Sequence, residues 1–197
     1  MMTIVLATRN KKKVEELTRM FTGYNIRFLT LDSFPGCTEV VEDGKTFRAN
    51  AVKKAVHVAT FTGCPSIADD SGLEVPALGG APGVFSARYA GKDADDRKNV
   101  RKLLKEMENL RGEERAARFV CCIALALPDG RCKTFTGFAE GKIGTKPRGF
   151  NGFGYDPIFC PSGNKMTFAE MTDSEKDAMS HRGKAMRKLY IYLGNLF

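Results

Sequence analysis

Two adjacent aspartates, Asp69 and Asp70, come directly after a short apolar run in the stretch PSIADDSGLEV. Carboxylate oxygens are ligands of Mg²⁺, which usually keeps several waters and binds substrate phosphates at the same time. Glu42, in VVEDGKTF, offers a third carboxylate for such a site. The run ADDSG is also good turn chemistry, because aspartate and serine side chains bond their own backbone. These residues alone leave two interpretations open, a metal site for a phosphate chain and a turn with a helix cap.

A polar segment near the start of the chain, LATRNKKK, could bind those phosphates. It joins a predicted strand to a predicted helix, and a helix N-terminus presents free N–H groups and the positive end of the helix dipole. Thr8 and Asn10 add side-chain donors, and Lys13 adds a cation one turn into the helix. The segment lacks the G-x-x-x-x-G-K-[ST] spacing of a Walker A loop. A helix cap followed by solvated lysines is the alternative interpretation.

Glycines and aromatic residues are interleaved in GFNGFGYDP, which indicates a site for a flat ligand. The glycines let the backbone approach closely, and three rings offer faces for stacking: Phe150, Phe153 and Tyr155. Asp156 offers an acceptor for an N–H edge, so a purine fits this set. An aromatic hairpin tip packed into the core is the alternative.

The segment SHRGKAMRK places His181, one of the two histidines in the chain, beside Arg182. A basic arm that contacts a ligand is one interpretation, and a solvated helix face is the other. Together the four segments supply a phosphate loop, metal carboxylates, an aromatic base pocket and a basic arm. That combination favours a nucleoside triphosphate site without a P-loop.

The elements that must position these residues alternate irregularly between strand and helix. The pattern predicts an α/β class with mixed α+β character, in which a central mixed sheet is flanked by helices and a single domain, 1–197, has two lobes. Hydrophobic periodicity predicts strands at 3–8, 27–31, 65–69, 117–127 and 131–143, and helices at 11–21, 46–60 and 93–110. It also predicts that helix closes the chain within 167–193, with N-cap candidates at 172–175.

Two local expectations bear on the site. Glycines and prolines are frequent between 71 and 91, which predicts a sharp turn at Ser71–Gly72 and then a long ordered loop. Asp69 and Asp70 would then lie where a strand ends. The helix at 46–60 has an apolar stripe, and its opposite, polar side is expected to face solvent; that side carries Asn50, Lys53, Lys54 and His57.

Composition limits the class of protein. Hydrophobic residues make up 43% of the 197 residues, which is enough for a core, and the net charge of +8 indicates polyanionic partners. The N-terminal apolar run has the length of one strand, so neither a signal peptide nor a membrane span is predicted and a cytoplasmic protein is expected. The six cysteines include no C-x-x-C pair, so we expect reduced, mostly buried thiols, with Cys121 and Cys122 on opposite faces of a strand.

Five motifs occur in an order that identifies a resemblance: LATRNKKKVEEL, EDGKTFRANAVKKA, IADDSGLEVPALGGAPGVFSARYAG, GFGYDPIF and SHRGKAM. With them the chain resembles the Ham1-like inosine triphosphate pyrophosphatase family over essentially its whole length. The resemblance implies an elongated fold with two lobes around a nucleotide cleft, and a homodimer. It also implies Mg²⁺-dependent hydrolysis of ITP, dITP and XTP to the monophosphate and pyrophosphate, which clears deaminated purines from the nucleotide pool.

The resemblance also implies residue roles. Asp70 would be the general base, and the metal would be held by Glu42 and Asp70, with Asp69 close by. Phe153 would stack on the base. The full set of residues expected to contact substrate is Thr8, Arg9, Asn10, Lys11, Lys12, Lys13, Lys54, Ser71, Phe153, Gly154, Tyr155, Asp156, Lys176, His181 and Arg182.

One departure from the family pattern and two alternative functions remain at this point. The family usually has glycine after the first-loop threonine, where this chain has Arg9. A related Maf-type pyrophosphatase acting on other nucleotides is one alternative, although SHR and FGYDP suit the Ham1-like pattern better. A basic nucleic-acid-binding module is the other, but no recognisable DNA- or RNA-binding motif is present, so neither a nucleic-acid partner nor a membrane partner is expected.

Overall fold

The computed structural model describes residues 2–22 and 25–194, which form strands and helices in mixed order. The strands are β1 (Met2–Leu6), β2 (Ile26–Thr30), β3 (Ser66–Glu74), β4 (Ala116–Ala126), β5 (Cys132–Ile143) and β6 (Phe159–Pro161). The α-helices are α1 (Lys11–Met20), α2 (Phe47–Thr62), α3 (Asp96–Glu106), α4 (Asp173–Met179) and α5 (His181–Gly194). Among these helices none is long and apolar enough to cross a bilayer.

The strands form one sheet in the order β2-β1-β3-β4-β5-β6. Strand β1 runs parallel to both β2 and β3, whereas β5 and β6 are antiparallel. A tight turn joins β4 to β5, in which the Leu127 N–H donates to the Arg131 carbonyl at 2.8 Å. The predicted mixed sheet is confirmed, as is the hairpin at its turn residues.

Strand β3 is longer than predicted. It runs from Ser66 to Glu74 and so includes Asp69 and Asp70, and it has no sharp turn at Ser71–Gly72. The expectation that a strand ends at the aspartates was wrong. The pairing of β3 with β1 covers Ser66 and Ile67, and beyond them β3 continues beside its other neighbour, β4. This long-range pairing outweighs the low strand propensity of aspartate and glycine. Because successive side chains of a strand alternate, the two aspartates point to opposite faces of the sheet.

The chain divides into two compact units. The first unit comprises Met1–Asp70, Cys121–Gly137 and Lys184–Phe197, and the second comprises Ser71–Val120 and Phe138–Gly183. The first has a core built from β1, α1, β3, β4 and α5 that includes Ile4, Leu17, Ile67, Ile123 and Leu189. The second has a core that includes Leu73, Leu103, Phe119, Phe159 and Phe168.

The C-terminal helical segment is two helices, so the prediction of one continuous helix was wrong. Thr172 and Glu175 form a capping box that begins α4. The chain is extended at Ser180, whose Oγ accepts the Gly183 N–H at 3.0 Å, and α5 begins at the next residue. Serine is a preferred N-cap residue, so Ser180 ends one helix and starts another.

All six cysteines are free thiols, as predicted. Cys121 and Cys122 lie in β4 and both are buried. Cys37 is also buried, whereas Cys64 and Cys160 are partly exposed and Cys132 is exposed. The prediction that most of the thiols are buried therefore holds for three of the six.

Candidate active site

Asp69 lies in the first unit on the side of the sheet that α1 covers. Its carboxylate is completely buried, and its Oδ1 is 3.0 Å from Nζ of Lys13, in the first turn of α1. The Cys121 thiol of the adjacent β4 lies 3.9 Å from the other carboxylate oxygen, Oδ2. Asp69 is therefore held as part of a buried ion pair, which is how a carboxylate is tolerated inside a protein.

Asp70 points to the opposite face, where α2 meets it. Nδ2 of Asn50 donates to Asp70 Oδ2 at 3.0 Å, and Nζ of Lys54 lies 3.8 Å from Asp70 Oδ1. The same ammonium donates to Glu42 Oε1 at 2.5 Å and to the backbone carbonyl of Asp69 at 2.8 Å. Two acids thus converge on one lysine.

The polar side of α2 does not uniformly face solvent, so that expectation was wrong for half of its residues. Asn50 is buried and the Lys54 side chain is 13% exposed, whereas Lys53 lies at the surface, paired with Asp43. His57 contacts the hydroxyl of Thr38. The acids on β3 and in the segment before α2 provide the polar partners that let Asn50 and Lys54 point inward.

Burial and neighbouring charges set the protonation of this cluster. Burial raises the pKa of the Asp70 carboxyl, an effect that Lys54 opposes and Glu42 reinforces. Burial would lower the pKa of Lys54, but nearby carboxylates outweigh burial and raise it: those of Asp70, Asp69 and Glu42. Lys54 therefore stays charged, and Asp70 has a higher proton affinity than an ordinary aspartate, which suits a general base.

The donor set around Lys54 also fits a divalent cation. Glu42 and Asp70 supply hard carboxylate oxygens, and both already face a positive charge. Within residues 2–22 and 25–194, no group of three or more His, Cys, Asp or Glu side chains could enclose a metal. Mg²⁺ commonly uses only one or two carboxylates, completing its octahedron with waters and phosphate oxygens, so the residues fit Mg²⁺ bound together with a substrate.

The loop before α1 has a defined geometry. Thr8 Oγ1 accepts the Asn10 N–H at 3.2 Å, and Asn10 Oδ1 accepts the Lys13 N–H and caps the helix. Arg9 donates to the Cys37 carbonyl at 3.1 Å. No non-glycine residue that the structure describes has a positive φ, so Arg9 occupies its position without the backbone strain that would require glycine. Lys11 and Lys12 follow as exposed side chains.

The second unit contains a buried ion pair between Asp156 and Lys176. Their Oδ2 and Nζ atoms are 2.7 Å apart, and the side chains are 3% and 4% exposed. The same Asp156 oxygen accepts the backbone N–H of Phe153 at 2.8 Å. The Phe153 ring lies near two cations, with Lys176 Nζ 5.1 Å and Arg182 Cζ 5.5 Å from its centroid. These distances are typical of cation–π contacts.

His181 and Arg182 are buried, so the interpretation of a solvated helix face was wrong. The imidazole of His181 stacks on Phe119, with centroids 4.5 Å apart and ring planes 8° from parallel. Arg182 Nη2 donates to Ser71 Oγ at 2.9 Å. Both residues belong to the second unit.

The three aromatic residues of GFNGFGYDP differ in environment. Tyr155 is buried in the core of the second unit, and its hydroxyl donates to the Ser86 carbonyl at 2.9 Å. Phe150 is fully exposed. Phe153 is partly exposed and lies between them in sequence. Of the three, Phe153 is the ring whose placement beside charged side chains suits a base platform, while Tyr155 has a packing role.

Asn50 belongs to the candidate site. From the sequence it was expected on the polar side of α2, but no function was predicted for it. Besides its bond to Asp70, its Oδ1 accepts the Gly44 N–H at 2.8 Å, which holds the segment that follows Glu42. Its position between Phe47 and Ala51, which are both buried, is the feature of the sequence that could have indicated a buried polar role.

Comparison with known proteins assigns the family. The profile described as "Ham1 family" matches residues 4–192. The chain belongs to the Ham1 family. A dITP/XTP pyrophosphatase of Desulforamulus reducens is 50% identical over 196 residues, covering 100% of this chain and 98% of that protein. A Thermus thermophilus protein of the same name is 51% identical over 188 residues, covering 95% and 90%.

Solved structures of the Ham1 family agree with this fold. A HAM1 protein from Coxiella burnetii matches with a TM-score of 0.90 and 43% identity, covering 99% of this chain and 100% of that one. The Staphylococcus aureus Ham1 protein matches with a TM-score of 0.89 and 37% identity, with the same coverage.

Proposed function

We propose that this chain is a nucleoside triphosphate pyrophosphatase that hydrolyses the deaminated purine nucleotides dITP, ITP and XTP to the monophosphate and pyrophosphate. Relatives named dITP/XTP pyrophosphatase are about half identical over nearly their whole length. The observation that carries the proposal is the partly buried cluster of Asp70, Lys54 and Glu42, which combines a base of raised pKa with a fixed cation.

Glu42 and Asp70 would hold Mg²⁺, whereas Asp69, which the resemblance placed close by, points to the opposite face of the sheet and pairs with Lys13. When bound, Mg²⁺ polarises the phosphoryl oxygens and neutralises part of the triphosphate charge. Lys54, which lies beside Glu42 and Asp70, would stabilise the charge that develops on the departing pyrophosphate. The Lys13 ammonium is paired with Asp69 on the other face of the sheet. The loop Thr8–Lys13 presents the N-terminus of α1 to the phosphates.

Asp70 takes a proton from the water that attacks the phosphorus atom. Its burial raises the pKa of the carboxyl, which strengthens it as a proton acceptor. The amide of Asn50 holds one of its oxygens at 3.0 Å and fixes the orientation of the carboxylate. Asn50 is therefore a positioning residue for the base.

Lys176 and Arg182 favour a purine with a carbonyl at C6. Both are donors without acceptor capacity, so the C6 amine of adenine would leave them unsatisfied, whereas hypoxanthine and xanthine would not. A pocket built to bond one specific group can discriminate by about 10⁴–10⁵-fold. Phe153 offers its ring for stacking, and Asp156 holds Lys176 in place.

A substrate panel tests the proposal. Purified protein with Mg²⁺ is incubated with dITP, XTP, ATP and GTP, and pyrophosphate and phosphate are measured separately. Pyrophosphate release that is fastest for dITP and XTP supports it, and equal rates for ATP and GTP contradict it. The same panel addresses the Maf-type alternative, which membership of the Ham1 family disfavours.

We also propose that the active form is a cytoplasmic homodimer, as the family resemblance implies. Light scattering coupled to size-exclusion chromatography measures the mass directly. A mass of about one chain, 21.7 kDa, at assay concentration would contradict the dimer.

A further inference from the structure

The loop that carries Phe153 is held by two carboxylates from different elements. Gly152 and Gly154 flank Phe153 and have φ values of +74° and +61°, which residues with a side chain rarely adopt. The N–H of Phe153 donates to Asp156 Oδ2 at 2.8 Å. The next N–H, that of Gly154, donates to Asp96 Oδ2 at 2.8 Å. The peptide groups on both sides of the Phe153 Cα are thus each held by a carboxylate.

Asp96 reaches the loop from a firmly anchored helix. It is the first residue of α3, 58 positions away from Gly154 in sequence. Buried side chains of α3, among them Val100 and Leu103, belong to the core of the second unit. Asn99, on the same helix, bonds two backbone groups of the 83–91 segment, the Ala90 N–H and the Ala87 carbonyl. Helix α3 therefore acts as a fixed frame for neighbouring loops.

We propose that Asp96 is a positioning residue that fixes the direction in which Phe153 presents its ring to the purine. Asp156 holds one peptide group of the loop, but it shares the same oxygen with Lys176. Asp96 binds the peptide group on the other side of the Phe153 Cα, through the Gly154 N–H, independently of Asp156. The inference rests on the proposed function, because it takes Phe153 as the platform for the base.

Removing the Asp96 carboxylate would change the conformation of the loop more than the overall stability of the protein. Asp96 is exposed, so its removal leaves no buried charge behind. The flanking glycines have more backbone conformations available than other residues, so a released loop would sample orientations of Phe153 that do not match a bound base. Substrate affinity should fall, while the phosphate-binding residues of the first unit keep their contacts.

Kinetics of three variants test the role. Asp96→Ala should lower kcat/KM for dITP about tenfold, mainly through a higher KM, because a charge-assisted hydrogen bond is lost. Asp96→Asn keeps an acceptor oxygen and should stay close to the unchanged protein. Asp95→Ala is the matched control: it removes the N-cap that accepts the Lys98 N–H at 2.7 Å, yet leaves the loop contact intact. Its kcat/KM should be unchanged, and inhibition by pyrophosphate should be equal in all three.

A fluorescent reporter separates this inference from the proposed function. The chain contains no tryptophan, so Phe153→Trp introduces a single one at the loop. Adding Asp96→Ala should increase the fast component of its anisotropy decay, and adding Asp95→Ala should not. Absence of pyrophosphate release by the unchanged protein would overturn the proposed function, while the reporter would still decide the inference. Equal decays for the Asp96 and Asp95 variants would overturn the positioning role.

Discussion

Replacing Lys176 by methionine removes the cation from an almost completely buried ion pair. Its Nζ lies 2.7 Å from Asp156 Oδ2, and the two side chains are only 4% and 3% exposed. Methionine keeps most of the length and volume of lysine, so the change acts chiefly on charge. The Asp156 carboxylate keeps the Phe153 N–H but loses the ammonium of Lys176.

The structure sets the expected size of the effect. Removing one partner of a buried pair costs about 3–5 kcal/mol, because the remaining charge is not returned to water. For a protein of this length that corresponds to a fall in Tm of about 6–20 °C. Lys142→Met is a matched control, since Lys142 pairs with Glu113 at 2.5 Å but the side chains are 52% and 86% exposed. An exposed pair contributes about 0–1 kcal/mol, so the control should lose at most about 4 °C.

Two assays on the same variants check this reasoning. Calorimetry gives Tm, and initial rates of pyrophosphate release give the preference for dITP over dATP. Lys176→Met should lose both stability and preference, whereas the double variant Lys176→Met/Asp156→Asn should recover stability without recovering preference. A Tm loss no larger than that of Lys142→Met would refute the buried-pair argument. An unchanged preference in Lys176→Met would refute its role in reading the base.

Three further predictions concern the carboxylate cluster. Asp70→Asn should lower kcat by about 10²–10⁴-fold while dITP still binds in equilibrium dialysis; near-normal turnover would rule out Asp70 as the base. Lys54→Met should move the acid limb of the kcat/KM profile to higher pH, because Lys54 lowers the pKa of Asp70 and the base works only when deprotonated; a limb that moves to lower pH would contradict this. EDTA should stop pyrophosphate release and added Mg²⁺ should restore it, and activity that persists in EDTA would count against the metal.

The residue types in the sequence identified the candidate site more accurately than they predicted the backbone conformation there. Asp69 and Asp70 suggested a metal site from their chemistry alone, but the same letters, with Ser71 and Gly72, also suggested a turn. Local propensity could not reveal that β3 continues to Glu74, because its pairing with β4 is a long-range interaction. The consequence is specific: alternation along the strand places one aspartate against α1 and the other against α2.

Burial of charged residues was the other property that local pattern could not supply. Arg182 and His181 looked like part of a solvated face because their partners, Ser71 and Phe119, are far away in sequence. The contact from Asp96 to Gly154 is of the same kind, since it joins a helix N-terminus to a loop 58 residues on. By contrast, Ser180 is a local N-cap signal that could have revealed the break between α4 and α5.

Product analysis with dITP tests whether the cluster around Asp70 carries out pyrophosphate release. The nucleotide is incubated with the protein and Mg²⁺, and the products are separated and counted before the reaction is complete. We predict dIMP and pyrophosphate in equal amounts, with both lost in Asp70→Asn. Formation of dIDP with single phosphate, or undiminished pyrophosphate release by Asp70→Asn, would contradict the proposed function.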